Sequence, residues 1–264
     1  MFDKVNEAFS RQSEIFDEYE KGNDILKWMR SIVRNHTLNY LRNGDEILEL
    51  NAGTGLDALF FADKGFKIYC IDIAEGMIKK LAEKVSLNKL DNRINYGLLS
   101  FSQLNELKGN KFDYIFSNFG GLNCTDDLKK VFDQFEDLLN PAGRITLVII
   151  PPVCPWEIAL LFKGKFRTAF RRLHKNGIDA NVEGIKFNTY YHSVRRAKKA
   201  LGGKFRILEV KGLACVSPPP YMINIPKRYP RIYMILTIID EKLSGIFPFN
   251  RWADHYIITA ELIK

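Results

Sequence analysis

The sequence predicts an α/β protein with a mostly parallel sheet and helices on both faces. Three observations carry that expectation. Ile47-Leu48-Glu49-Leu50 is a short apolar run that ends in the turn Asn51-Ala52-Gly53-Thr54-Gly55. A second such run, Lys67-Ile68-Tyr69-Cys70-Ile71, ends in Asp72. Between them, apolar residues at 56, 59, 60 and 62 have helical spacing. Short apolar strands bounded by turn residues suit a sheet buried on both faces. Strand, glycine turn and helix form half of a nucleotide-binding unit. Glycines let the backbone approach a ligand, and the helix start offers free N–H groups. An acid at the tip of the next strand suits the two hydroxyls of a ribose.

The remaining elements follow in order. Residues 1–44 read as helices, with Phe9, Ile15 and Phe16, then Ile25, Trp28, Met29 and Ile32, near helical spacing. A helix over 75–87 places Met77, Ile78, Leu81 and Val85 on one face. Strands are expected at 93–99 and 112–118, a helix at 126–139 and a strand at 145–150. Residues 156–174 read as one helix whose Trp156, Leu160, Leu161, Phe166 and Phe170 alternate with basic residues. A polar break at 176–184 precedes a strand at 185–191, a helix at 194–201 and a strand at 205–213. Residues 217–233, rich in proline and tyrosine, read as irregular. A short helix at 235–243 and a last strand at 252–260 close the chain.

Glu49-Leu50-Asn51-Ala52-Gly53-Thr54-Gly55 resembles the first motif of class I S-adenosylmethionine-dependent methyltransferases, E/D-x-G-x-G-x-G. Asn51 stands where glycine is usual, and asparagine tolerates a positive φ. Ile71-Asp72-Ile73-Ala74-Glu75-Gly76-Met77 is similar to that family's second-strand segment. The dinucleotide fingerprint G-x-G-x-x-G does not fit, because Ala58 stands at its last glycine. The resemblance implies a Rossmann-like seven-stranded sheet of order 3-2-1-4-5-7-6, its last strand antiparallel. It implies an N-terminal helical lid over 1–44 and a donor-binding core over 45–150. An acceptor-side insertion with strand six then covers 151–250, and the last strand 251–264.

The activity so implied is methyl transfer to a small, aromatic or amphiphilic metabolite, with S-adenosyl-L-methionine as donor and S-adenosyl-L-homocysteine as product. The donor site would comprise Glu49, Asn51, Ala52, Gly53, Thr54, Gly55, Asp72, Ile73, Met77, Asn118 and Phe119. Ser100 and Phe101 stand where the family meets adenine. Phe16-Asp17-Glu18-Tyr19 resembles the family's F-D-x-x-Y-like segment, which nominates Tyr19 as a closing aromatic and Arg30 for the donor carboxylate.

Composition narrows the partners. A chain of 264 residues, 46% of them hydrophobic, can fill the core of one large α/β domain. Apolar runs fall short of the ~20 residues of a membrane span, and no signal peptide is visible. Cys70, Cys124, Cys154 and Cys215 are scattered, without C-x-x-C. Reduced thiols in a cytoplasm are therefore expected, and no metal. The net charge of +8 divides into +11 over residues 163–211 and −3 elsewhere. Such a basic segment suggests an anionic group on the acceptor, or peripheral contact with an anionic surface.

Acceptor-side candidates are Phe119, Asn123, Trp156, Tyr190, Tyr191 and Tyr221 as walls, with Arg167, Arg171 and Arg172 supplying charge. If the acceptor must lose a proton, His192 beside Tyr190-Tyr191 is the candidate base. His255 after Asp254 reads as half of a buried pair, and His36 and His174 as surface residues. Two alternatives stand beside this reading. One is an RNA methyltransferase using the basic segment as a phosphate track. Against it, Ser117-Asn118-Phe119-Gly120 stands where an N/D-P-P-Y-like tetrad would read a base, and no dedicated nucleic-acid module is recognisable. The other is a non-catalytic, nucleotide-binding Rossmann-like protein.

Overall fold

The computed structural model describes residues 2–263. Its strands are β1 (Glu46–Leu50), β2 (Lys67–Asp72), β3 (Ile94–Leu98), β4 (Phe112–Ser117), β5 (Leu139–Ile149), β6 (Ile178–Val182), β7 (Ile185–Thr189), β8 (Phe205–Leu213) and β9 (His255–Leu262). Seven of them form one sheet of order β3-β2-β1-β4-β5-β9-β8, and β6 and β7 form a separate hairpin. β1 to β5 pair in parallel, and β9 runs antiparallel to both β5 and β8. With the hairpin set aside, this is the expected order 3-2-1-4-5-7-6. Strand order reverses at β1, beside β4, and a crevice opens there at the carboxyl ends.

Helix α1 (Phe2–Gly22) lies across the carboxyl edge. Helices α2 (Asp24–Leu38), α3 (Leu56–Asp63) and α4 (Glu75–Leu87) cover one face, where Ile25, Phe61 and Leu81 pack with Ile47, Ile68 and Phe116. The other face packs Leu48, Leu50 and Ile115 against α5 (Leu128–Phe132), α6 (Phe135–Leu138) and, further along the chain, residues 194–201. Glu49 shares the Ile47 side of its strand, so its carboxyl points toward α2 and α3. Ser10 of α1 accepts the Gly76 N–H at 3.1 Å. A Cβ at Gly76 would sit 2.6 Å from the Ser10 carbonyl oxygen, so glycine lets α1 close on α4.

A buried polar chain crosses the sheet. Tyr114 meets Thr146 at 2.6 Å, Thr146 meets Thr259 at 2.7 Å, and Thr259 meets His36 Nε2 at 2.7 Å. His36 is therefore a buried residue, contrary to the sequence expectation, and burial pushes its pKa down to about 4.

The insertion departs most from expectation. Residues 156–174 are not one helix. They break into α7 (Pro155–Ile158), a 3₁₀ turn, α8 (Phe166–Phe170) and a second 3₁₀ turn. Gly164 at φ +68° reverses the chain, and the bond from Arg171 Nε to Glu157 (2.7 Å) holds it folded back. The polar break is strand β6, whose Ile178, Ala180 and Val182 alternate with outward polar residues. Its turn places Glu183 and Gly184 at φ +48° and +82°, the geometry of a tight hairpin. After α9 (Val194–Leu201), residues 217–233 contain α10 (Asn224–Arg228), and the next helix, α11 (Pro230–Leu243), starts earlier than expected.

Candidate active site

The Asn51–Gly55 turn has the backbone its residues imply. Asn51 (φ +47°), Gly53 (φ +57°) and Gly55 (φ +79°) are all left-handed. Asp72, at the tip of β2, holds the turn from the next strand. Its two carboxylate oxygens accept the Gly53 and Ala74 N–H groups, each at 2.8 Å. Burial raises the Asp72 pKa, and these N–H donors oppose the rise.

A cavity of about 360 Å³ opens on this turn. Asn51, Gly53, Asp72, Ile73, Met77, Phe101, Asn118 and Phe119, all nominated for the donor site, line it together. Its far wall is apolar and comes from elsewhere: Val5, Phe9 and Phe16 of α1, and Ala180, Val182 and Phe187 of the hairpin. Phe9 and Phe187 meet with ring centroids 5.6 Å apart. Asp72 is the one charged side chain among the described lining residues.

A smaller cavity of about 50 Å³ adjoins it, lined by Phe16, Arg30, Glu49, Ala52, Asp57 and Asn118 among others. Here the charges are dense and paired. Arg30 donates to Glu20 at 2.6 Å and to Asp57, Arg34 donates to Asp57 at 2.7 Å, and Asn118 Nδ2 donates to Asp57 at 2.9 Å. Burial works against ionising Asp57, but Arg30 and Arg34 outweigh it and hold its carboxyl low. Glu49 has no such bond to an arginine. Burial, with Asp57 nearby, pushes its pKa well up. The Arg30 guanidinium also lies 4.6 Å from the centre of the Phe119 ring.

Other sequence candidates fall outside both cavities. Tyr19 is 52% exposed, and Phe16 of the same segment faces the cavity instead. Thr54 donates to Asp17 at 2.7 Å, and Gly55 caps α3. Ser100 is buried and caps the 3₁₀ turn after it. Asn123 is a stitch. Its amide donates to the carbonyls of Ile150 and Tyr190 and accepts the Ile150 N–H, which ties the exits of β4, β5 and β7 together.

His192 calls for a correction. It is buried, its Nε2 lies 2.8 Å from the Thr125 carbonyl, and burial pushes its pKa down to about 4. It fastens the strand exits and does not line the cavity. Two of the three arginines of the expected wall are likewise held in ion pairs. Arg171 and Arg172 both pair with Glu157, and Arg172 also pairs with Asp254 at 2.6 Å. Arg172 lies 5.5 Å from the Tyr191 ring centre. Trp156 donates to the Val216 carbonyl at 3.0 Å, and Arg167 and Tyr221 are exposed. The His255–Asp254 pair is present at 2.9 Å, as expected. Sequence reading missed Phe9, Val182 and Phe187. The alternation of β6 and β7 carries a signal for the last two, hidden by their polar neighbours.

Sheet order, glycine turn and acidic strand tip are those of a Rossmann-like domain, and they resemble the class I, S-adenosylmethionine-dependent methyltransferases. The family described as "Methyltransferase domain" matches residues 47–143. A demethylmenaquinone methyltransferase of Clavibacter sepedonicus is 28% identical over 155 residues, 58% of this chain and 58% of the relative. The match thus spans little more than half of that curated relative. The solved cyclase SpnF superposes with a TM-score of 0.63 at 14% identity, over 98% of this chain and 95% of its own. The 1,6-didemethyltoxoflavin-N1-methyltransferase of Burkholderia thailandensis, solved with 1,6-didemethyltoxoflavin and S-adenosylhomocysteine, gives 0.56 at 16% identity, over 97% and 88%. At such identities these two likenesses concern the fold alone.

Proposed function

We propose that the chain transfers the methyl group of S-adenosylmethionine to a small, largely apolar acceptor. One observation carries the reading: the cavity that starts at Gly53 and Asp72 runs on, without a further charge, between Phe119, Phe9, Val182 and Phe187. S-adenosylmethionine supplies a methyl group already activated on a sulfonium. Positioning and water exclusion are what remain for the protein. In this reading Asp72 accepts the ribose hydroxyls, and Ile73, Met77 and Phe101 flank the adenine. Glu49, Asn118 and Arg30 hold the amino-acid end in the small cavity. Asp72 and Cys124 are the titratable groups among the described residues of the large cavity, and burial pushes the Cys124 thiol up to about 12. The acceptor therefore brings its own nucleophile: a lone pair, or the anion of a phenol or enol acidic enough to ionise unaided.

The Clavibacter relative acts, by its name, on demethylmenaquinone, and an apolar acceptor of that kind agrees with these walls. Four free, buried cysteines agree with a reducing, cytoplasmic setting. Methyl transfer from labelled S-adenosylmethionine to a panel of phenols, naphthols, quinols and RNA tests the reading. Label should enter an apolar small molecule, and Val182→Asp should raise that acceptor's KM by roughly tenfold or more, the scale of a buried unpaired polar group. Saturable methylation of RNA, with no small molecule labelled, would overturn the reading.

A further inference from the structure

Helix α11 is inside out. Its inward side carries Tyr233, Leu236, Thr237 and Asp240, and its outward side carries Ile232, Met234, Ile235, Ile238 and Ile239. Thr237 is 8% exposed and Asp240 1%, whereas Ile232 and Ile235 are each 53% exposed. The buried polar residues have partners. Asp240 accepts the Val216 and Ser217 N–H groups at 2.8 and 2.7 Å, and Thr237 donates to the Met234 carbonyl at 2.9 Å. The Asp240 bonds to residues 216 and 217 fix the rotation of the helix, so the isoleucines cannot turn inward without breaking them.

The apolar stripe is bracketed by cations. Arg231 stands at its first turn and Lys242 at its last, and Lys227 and Arg228 precede it on α10, all exposed. Of the nearby exposed acids, Glu241 is drawn to the indole of Trp28 on α2 at 3.4 Å, and Asp24 pairs with Lys27 at 2.8 Å. The loop after the helix exposes Phe247 and Trp252, with the Arg251 guanidinium 5.4 Å from the Phe247 ring centre. Aliphatic residues flanked by Lys and Arg, with an aromatic pair beside them, are the composition of a helix that lies in a lipid headgroup layer.

From this arrangement we infer that the outward face of α11 docks on an anionic lipid bilayer, with the isoleucines at the acyl boundary and the cations at lipid phosphates. A second copy of the chain is the competing occupant. A two-fold contact along α11 sets Arg231 against Lys242 if antiparallel, or each against itself if parallel, and like charges oppose both. The inference is independent of methyl transfer, because its test reads partitioning and not turnover.

The test is co-sedimentation of the full chain with vesicles of phosphatidylglycerol and phosphatidylcholine in equal parts, and with phosphatidylcholine alone. Wild-type protein should pellet with the anionic vesicles and bind the neutral ones more weakly. Ile235→Glu with Ile238→Glu should reduce anionic-vesicle partitioning by roughly tenfold or more. Arg231→Gln with Lys242→Gln should reduce it by roughly fivefold per charge, less at high salt. All four positions are exposed, so circular dichroism and thermal melting should remain those of the wild type. Wild-type protein left in the supernatant at low salt would overturn the inference, as would unchanged pelleting of a folded isoleucine variant. A wild-type dimer by light scattering, made monomeric by Ile235→Glu with Ile238→Glu and indifferent to vesicles, would overturn it in favour of self-association.

Discussion

At one end of the cavity, Asn51, Gly53 and Asp72 belong to a single strand-helix-strand unit and are fixed by backbone geometry. At the other end, Phe9 and Phe187 come from opposite halves of the chain and are fixed by what lies behind them. Asn123 ties three strand exits together there, and Arg172 clamps Glu157 and Asp254. On the proposed reading the first end takes the donor and the second the acceptor: buried charge lines the small cavity beside the turn, whereas at the far end it holds the insertion in place. Lesions at the two ends should therefore separate. Those behind the acceptor wall act on stability and acceptor binding, and those at the turn act on the donor.

The largest expected effect tests the clamp. Arg172→Gln removes the buried partner that Glu157 and Asp254 share, leaving Glu157 to Arg171 and Asp254 to His255, and should cost about 3 kcal/mol in chemical denaturation. Burial opposes ionising Glu157 and Asp254, but Arg171 and Arg172 hold Glu157 low, and Arg172 with His255 holds Asp254 low. Their contribution is thus fully present above the unfolded carboxylate range and is lost as pH falls toward the folded values. The variant should show a smaller acid-side loss, because Arg171 and His255 remain, and a wild-type stability flat from pH 7 to acid would contradict the assignment.

Next is the stitch. Asn123→Ala leaves Ile150 and Tyr190 backbone groups unpaired and should cost about 2–3 kcal/mol. It should loosen the hairpin wall and raise acceptor KM, with donor Kd unchanged. An equal loss of donor affinity would erase the proposed division between the two ends.

The smallest effect has the opposite sign. Burial raises the Glu49 pKa in the folded state, so its favourable contribution exists at low pH and is lost as pH rises above the unfolded carboxylate range. Glu49→Gln should therefore stabilise the free protein at neutral pH by about 1 kcal/mol. It should also weaken donor binding, because the donor's ammonium favours the ionised acid. A variant that is destabilised, or binds donor as the wild type does, would show that Glu49 serves the fold.

What could be read in the sequence follows the same division. The donor turn is legible because residue type and φ are linked at Asn51, Gly53 and Gly55 within one short stretch. The order of the seven-stranded sheet followed from resemblance to a family and agrees with the structure. The acceptor wall was not legible. Histidines and arginines look alike in sequence whether they meet a ligand or satisfy a buried partner. His192 and Arg172 are of the second kind. Nor could periodicity reveal that α11 buries Asp240 and shows its isoleucines, since tertiary bonds from the Val216 and Ser217 N–H groups set that rotation.

The central claim is that the Asn51–Gly55 turn and Asp72 bind an adenosyl donor. Calorimetric titration with S-adenosylhomocysteine tests it most directly, on wild type and Asp72→Ala, with NAD as control. The account predicts a Kd of about micromolar order for wild type. It predicts a loss of about 1.5–3 kcal/mol in Asp72→Ala, the range for hydrogen bonds to a charged group, and no saturable binding of NAD. No binding by the wild type, or an affinity unchanged in Asp72→Ala, would contradict it.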